Sequence, residues 1–415
     1  MKLEVGTTDS SLSSFRWVVL IINWIVVFFV QASWLFILVM FNYIPFLTES
    51  QEYLIWTLPF VGLICMALPA GLIIDKYGLK RTGILGIGIV VITAFCRGLS
   101  YDFLTLALSS MFLGFGIGIV IPLGSKLIGL WFGEKEIGTA TGITIMAVGL
   151  GVAISQSISV SLLLLLGTWR NIFFFYAFFD LIVLIIWLFI KEKPATFVKR
   201  DRVPFRETIS KVIRNRYVWM LCGINLVLLA VYYTSLKALH PIFQINLGNE
   251  FLANLAISVI SYGAMIANVI MPIMSDRMCN RRKFLGMGLI ILIPALILIN
   301  FLGNIGIWVL SFVIGFMVGT IAPIIMAIPV ELKGVGHTYV AGAAGFVVSI
   351  GKVGGLVVPM IYLMFANHSL EIFGFIFLGI LLIIATILVI FIPETAGKAR
   401  EVSLEIEYLN QRLKS

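Results

Sequence analysis

Charge is what this chain has least of. Asp, Glu, Lys and Arg together make up 12% of it, where a soluble domain carries about a quarter. Hydrophobic residues make up 60%, and the mean hydropathy is +1.09. That surplus excludes a soluble fold and leaves lipid as the solvent. Cysteine is also scarce. Cys65, Cys96, Cys222 and Cys279 lie in or beside apolar runs, without CxxC or metal spacing, so neither a disulfide framework nor a zinc site is expected. No HExxH, Walker loop or GxSxG elbow occurs, which predicts no enzyme, no metal and no cofactor. The alternating strands of a membrane barrel, roughly ten residues each, are absent as well.

What remains is a series of apolar runs long enough to cross a bilayer as helices. Twelve are expected, near 17–41, 52–74, 83–99, 103–126, 138–165, 170–190, 217–241, 251–275, 284–302, 304–330, 337–362 and 370–392. Residues 1–16 are short and polar, so no cleaved leader is expected ahead of the first span.

The basic residues set the orientation. With the N-terminus in the cytoplasm, 25 of the 29 Lys and Arg fall on that side, which places both termini there. The net charge of +9 is thereby read as membrane topology and contact with anionic headgroups, not nucleic-acid binding. A multi-pass protein of the plasma membrane, acting as a monomer, is expected.

The longest polar stretch, Lys191 to Arg216, divides the chain. The expected organisation is a cytoplasmic N-terminus (1–16), a six-helix bundle (17–190), a linker (191–216), a second bundle (217–392) and a tail (393–415). Pro194 and Pro204 break the linker, and a short surface helix is expected from Phe205 to Asn215. Val402, Ile406 and Leu409 recur at helical spacing in the tail and suggest an amphipathic helix on the membrane.

The two halves repeat. "GLIIDKYGLKR" (Gly71 to Arg81) follows the second span and "PIMSDRMCNRR" (Pro272 to Arg282) the eighth. Asp75 and Asp276 stand 201 positions apart, and each is followed five and six residues on by two basic residues. Two repeats of like orientation imply a pseudo-two-fold axis along the membrane normal, with a solute site between them.

Gly71, Asp75, Gly78, Lys80 and Arg81 resemble the signature loop between the second and third helices of the major facilitator superfamily. The resemblance implies an all-α membrane fold of twelve helices in two pseudo-symmetric six-helix bundles. It also implies that these residues gate rather than bind solute. Asp75 would latch onto the positive N-terminal end of the eleventh span, Gly71 would permit close helix approach, and Gly78 would turn the loop. Asp276, Arg277 and Arg281 form a degenerate second copy, with Cys279 where glycine would stand.

"WFGEKEIGTATG" (Trp131 to Gly142), the loop above and "FCRGLS" (Phe95 to Ser100) are similar to the family of the feline leukaemia virus subgroup C receptor. Organic-anion and cyanate-type carriers share versions of the Trp-Phe stretch. The receptor family implies choline- or haem-like cargo and a chamber in which Trp34 and Tyr233 would take part. Two chamber glutamines of that family fall at Gly149 and at or near Lys352, and both departures favour a neutral or anionic solute.

Lys352 is the most informative single residue. It lies 15 positions after His337 and 15 before Asn367, about 22 Å from either end of its helix and beyond snorkelling reach. A buried ammonium there reads as an anion anchor, a proton carrier, or both. Its alternative is a packing role bonded to neighbouring backbone. Asp180 is expected to be the other ionisable residue deep in a span, either bonded within its own half or coupling protons. Arg97, Arg170 and Lys237 are expected near the outer surface, paired with headgroups or with Glu49, Glu52 or Asp102. Gln31, Trp34, Tyr232, Tyr233, Tyr262 and Thr320 lie midway along spans expected to line the cavity; core packing is the alternative for each. The expected function is secondary transport of a small organic solute by alternating access, with proton symport as one mode of coupling. Export of a cationic or aromatic metabolite is the alternative, and a non-transporting sensor on the same fold the second.

Overall fold

The structure is a computed structural model, and it describes residues 13–66, 69–132, 136–191, 205–301, 303–332, 335–366 and 371–395. The described residues fold into helices because hydrocarbon leaves backbone N–H and C=O groups no other partner. The first span is broken, with α1 (Ser13–Leu35) followed by α2 (Ile37–Met40) and a short 3-10 turn at Phe41–Tyr43. The second is α3 (Glu49–Met66) and α4 (Pro69–Tyr77). Four more complete the first half: α5 (Leu79–Leu99), α6 (Phe103–Trp131), α7 (Ile137–Leu166) and α8 (Trp169–Trp187). The surface helix α9 (Phe205–Arg214) leads to α10 (Arg216–Leu247), α11 (Glu250–Met278), α12 (Arg281–Leu298), α13 (Asn304–Glu331), α14 (Gly336–Ala366) and α15 (Glu371–Phe391). Ten described helical stretches are long and apolar enough to cross a membrane. The second span and α12, which opens on Arg281, Arg282 and Lys283, complete the twelve. The linker residues 192–204 and the tail helix expected around Val402, Ile406 and Leu409 lie outside the described residues.

Polar residues in the loops start the helices. Asp102, Thr168, Asn215, Asn249 and Asn280 each accept a bond from a backbone N–H of the first turn, satisfying donors the helix itself cannot.

Glycine sets the tightest crossings, and it does so twice. A Cβ on Gly62 would meet the Phe115 nitrogen at 2.3 Å, and one on Gly114 the Pro59 oxygen at 2.0 Å, where α3 crosses α6. A Cβ on Gly263 would meet the Phe312 oxygen at 2.6 Å, and one on Gly315 the Ile260 oxygen at 1.8 Å, where α11 crosses α13. Each glycine of the second pair lies 201 positions beyond its counterpart, the same offset that separates Asp75 from Asp276. The repeat is therefore a repeat of helix contacts, not of a loop motif alone. Gly315→Ala is expected to lower stability by about 1–3 kcal/mol, the usual cost of overpacking. A thermal-unfolding midpoint equal to that of the parent would contradict this.

The turn after α11 shows a related economy. Gly78 has φ +84°, and Cys279, 201 positions on, is the one described non-glycine residue with positive φ, at +49°. A side chain in that region costs about 1–2 kcal/mol. Cys279→Gly is expected to recover part of that cost and raise the unfolding midpoint.

Within the first half α1 packs on α7 and α8, and α5 on α6 and α8; within the second, α10 packs on α14, and α12 on α13 and α15. Between halves, α3 meets α14 and α7 meets α11. The fifth and eleventh spans, which the repeat makes equivalent, do not face each other. The fifth faces the eighth and the eleventh faces the second, because the pseudo-two-fold axis pairs unlike helices of the two repeats.

Candidate functional site

For the side of the molecule where α1 begins and α12 starts we use "basic face", and for the opposite side "far face". Described side-chain bonds between the halves lie toward the far face or midway. Lys237 on α10 pairs with Glu52 on α3. Tyr43 donates to Glu250 on α11 at 2.6 Å, and Asn42 donates to it at 3.2 Å. Midway, Ser157 on α7 donates to Ser258 on α11 at 2.8 Å, and Tyr262 lies 3.4 Å from the same hydroxyl. Followed toward the basic face, the α11 side of this seam becomes open. Ser258 is buried, whereas Val269 and Ile273 are 46% and 49% exposed. Across the seam Ile145 is exposed, and a Cβ on Gly142 would meet nothing. The halves close at the far face and part toward the basic face.

A cluster of rings roofs the parted space. Trp34 (α1) lies 6.2 Å from Trp56 and 5.1 Å from Phe60 (both α3), and 5.8 Å from Tyr233 (α10). Phe60 and Tyr233 meet edge to face at 4.7 Å, and Tyr232 stands against Tyr233. Trp34, Trp56 and Phe60 are buried to within 1%. The indole N–H groups of Trp34 and Trp56 have no partner among the described residues. In this conformation Trp34 and Tyr233 are packed in a plug rather than lining an open box. A Cβ on Gly355 of α14 would meet Phe60 at 2.9 Å and Tyr233 at 3.0 Å. Only glycine lets the eleventh span close against this roof.

Lys352 lies three residues from Gly355 toward the basic face. Around α14, at about 100° per residue, it falls between Gly355, against Phe60, and Met360, whose sulfur accepts from Thr57 of α3. The face of α14 toward α10 is a different one. There Gly351 abuts Asn225, which donates to the Val347 carbonyl at 3.0 Å, and Gly354 abuts the Leu226 oxygen. Lys352 is thus turned toward the other half. It is half-buried and has neither a hydrogen bond nor an ion pair among the described residues.

The other expected site residues are scattered. Gln31 is buried beside Gly151, with its Oε1 unpartnered. Tyr232 shares a 3.3 Å bond with Ser261. Thr320 is buried and donates to the Phe316 carbonyl of its own helix. Sequence reasoning did not single out Trp56 and Phe60. Nothing in their spacing separates them from ordinary apolar positions; only the α3–α14 contact does.

Of the gating residues, the side chain of Asp75 lies outside the described ones. Gly71, expected at a close helix contact, has open space where a Cβ would stand. Arg81 is exposed, and Lys80 lends its carbonyl to the Trp187 indole at 3.1 Å. The second copy is spent within its own half. Arg281 pairs with Asp276 at 2.5 Å and with Glu331 at 3.0 Å, and Arg277 is exposed.

Two outer residues match expectation in part: Lys237 pairs with Glu52, and Arg170 donates to the Ser100 carbonyl at 3.1 Å. Arg97 does not. It is 1% exposed, donates to the Ser33 carbonyl at 2.8 Å and sits against the Phe36 and Phe173 rings. Asp180, fully buried, is therefore not alone as a deep charge in the first half.

The family model of the Major Facilitator Superfamily matches residues 19–250 and 226–409. No curated protein matches the chain. Among solved structures, a bacterial homolog of the human lysosomal transporter Spinster, in an inward-facing and unoccupied conformation, superposes with a TM-score of 0.71 at 17% identity. That match covers 92% of this chain and 97% of the homolog, and it shows a shared fold. Two six-helix repeats joined by a polar linker, parted on one side beneath a plug of rings, and a family match over almost the whole length lead to one assignment: the chain belongs to the major facilitator superfamily of membrane transporters.

Proposed function

We propose that this protein is a secondary transporter that moves a small organic solute, anionic or neutral and polar, across the plasma membrane by alternating access. The unpaired ammonium of Lys352 supports this reading, turned toward the other half just beneath the aromatic roof. A cation held in a low-dielectric cleft without a partner is costly, and a bound carboxylate or phosphate oxygen offsets that cost. The basic face is the cytoplasmic side, so the conformation described is open to the cytoplasm. The halves comprise 17–190 and 217–392. Gly71, Asp75, Gly78, Lys80 and Arg81 come into contact with the second half only when that side shuts. Energy comes from a solute or proton gradient.

A second reading has one observation in its favour. Trp34, Trp56, Phe60 and Tyr233 offer ring faces to a cationic or aromatic metabolite of choline-like or haem-like chemistry. Lys352 would repel a cation at the same place. A thermal-shift screen of organic anions, neutral polar metabolites and quaternary ammonium compounds on the purified protein separates the two. Stabilisation by anions that disappears in Lys352→Ala supports the first reading. Stabilisation by quaternary ammonium compounds that survives in Lys352→Ala overturns it in favour of the second.

A further inference from the structure

The first half holds a second polar centre, away from Lys352. Arg97 of α5 donates Nη1 to the Ser33 carbonyl, while its Nε and Nη2 find no partner among the described residues. Asp180 of α8 is near enough to feel the Arg97 charge, yet neither carboxylate oxygen has a hydrogen-bond partner among the described residues. The hydroxyls of Ser33, beside Asp180, and of Tyr176 have no partner among the described residues, while Ser159 of α7, beside Tyr176, donates to the Ser155 carbonyl of its own helix. Gln156 lies one turn before Ser159 on α7, 0% exposed, with both amide atoms unpartnered. Each such group left dry costs about 1–3 kcal/mol. They lie in one bundle interior, where a bound water or proton would offset that cost.

The position of this cluster gives it a lever. Ser33 lies in the last turn of α1, and Phe36 is the residue at the break between α1 and α2. Arg97 holds the Ser33 carbonyl, and its guanidinium lies 5.6 Å from the Phe36 ring, which stacks on Tyr176 at 4.4 Å. Trp34, the residue between them that follows Ser33, belongs to the roof. One broken helix end thus touches the charge centre with two residues and the roof with a third.

We propose that Asp180 is a proton-binding site of the first bundle and that Arg97 relays its protonation, through the break in the first span, to the aromatic roof. The relay to transport rests on the reading of that roof given above; the proton site does not. The proton comes from water, forms an O–H bond on the Asp180 carboxylate, and returns to water on release. With Asp180 ionised, its charge attracts Arg97 without a direct bond, in competition with the Ser33 carbonyl. With Asp180 neutral, the Ser33 carbonyl and the two rings hold Arg97 alone, and its grip on the break changes. The charged and titratable groups that face Asp180 are Arg97 from α5 and Tyr176 from α8 itself. The neighbouring α1 contributes Ser33, and α7 contributes Ser159 beside Tyr176; neither titrates.

Infrared difference spectroscopy of the full-length protein in vesicles, stepped from mildly alkaline to mildly acidic pH without solute, tests this. A protonated-carboxyl band is expected to appear in the parent, to vanish in Asp180→Asn, and to move along the pH axis in Arg97→Lys. Tryptophan fluorescence is expected to change with the same midpoint, and that change to be lost in Trp34→Phe. No pH-dependent band in the parent, or a band unaltered in both Asp180→Asn and Arg97→Lys, overturns the proposal. Arg97→Lys keeps the test decisive if Asp180→Asn does not fold. Lys352→Gln is expected to leave the band in place. A band assigned to Asp180, together with solute binding that ignores Lys352, would refute the transport site and leave the proton site standing.

Discussion

Replacing Lys352 by glutamine is expected to weaken binding of the transported solute by about 30-fold or more. Truncating one partner of a desolvated charge pair costs about 2–5 kcal/mol, and each 1.4 kcal/mol is about a factor of ten. Lys352 has no partner to release among the described residues, so the loss falls on the solute. Folding should improve slightly, because the variant no longer buries an uncompensated cation. Weaker solute binding with equal or higher intrinsic stability is the signature of a site residue. A structural lysine would show the reverse, with stability lost and affinity kept. Solute-induced thermal shifts and solute-free unfolding midpoints, measured on the same samples, read out both quantities.

Arg281→Ala is expected to destabilise the second half by about 3–5 kcal/mol, the cost of breaking a buried ion pair from one side. Arg281 and Glu331 are 10% and 11% exposed at the side chain, and they tie the start of α12 to the end of α13. Glu331 also accepts from Thr395, and Glu394 beside it accepts from the Arg281 and Arg282 backbone nitrogens at 2.9 and 3.0 Å. The segment after α15 is thereby fastened to two other helices. Asp276 adds little, since its side chain is 59% exposed and solvent screens it. In a Glu331→Gln background the same arginine substitution should cost far less, because no buried carboxylate is then stranded. Equal losses in the two backgrounds, measured by chemical unfolding in detergent, would contradict this account.

The fold was legible in the sequence because lipid leaves few options. Long apolar runs must be helices, and lysine and arginine mark the loops of one face. The 201-residue offset, read from two aspartates, reappears in Gly62 and Gly263 and in Gly114 and Gly315. Surface helix α9 ends within one residue of its expected end. The site was legible only where a residue broke the local pattern. Lys352 is conspicuous among apolar neighbours, and the structure leaves it unpaired. Trp56 and Phe60 were invisible, because an aromatic residue in a membrane helix is ordinary until its neighbours are known. Arg97 was misplaced for a different reason. It stands near the end of its helix, and depth along a helix says nothing of which way a side chain turns. The break in the first span admits its guanidinium to a carbonyl that an unbroken helix would have occupied. The pairing of unlike helices across the halves was likewise beyond sequence reach, since symmetry relates equivalent helices without saying which ones touch.

The central claim is that Lys352 stands in a cleft between the halves that is reached from the basic face. Cysteine placed at 352 in a chain whose own four cysteines (Cys65, Cys96, Cys222, Cys279) are replaced tests this without knowledge of the solute. In oriented vesicles, a membrane-impermeant thiol reagent is expected to label position 352 from the basic side and not, in the conformation described, from the far side. A cysteine at 352 that reacts from neither side, while one at the exposed Ile145 or Ile273 reacts readily from the basic side, would contradict the account.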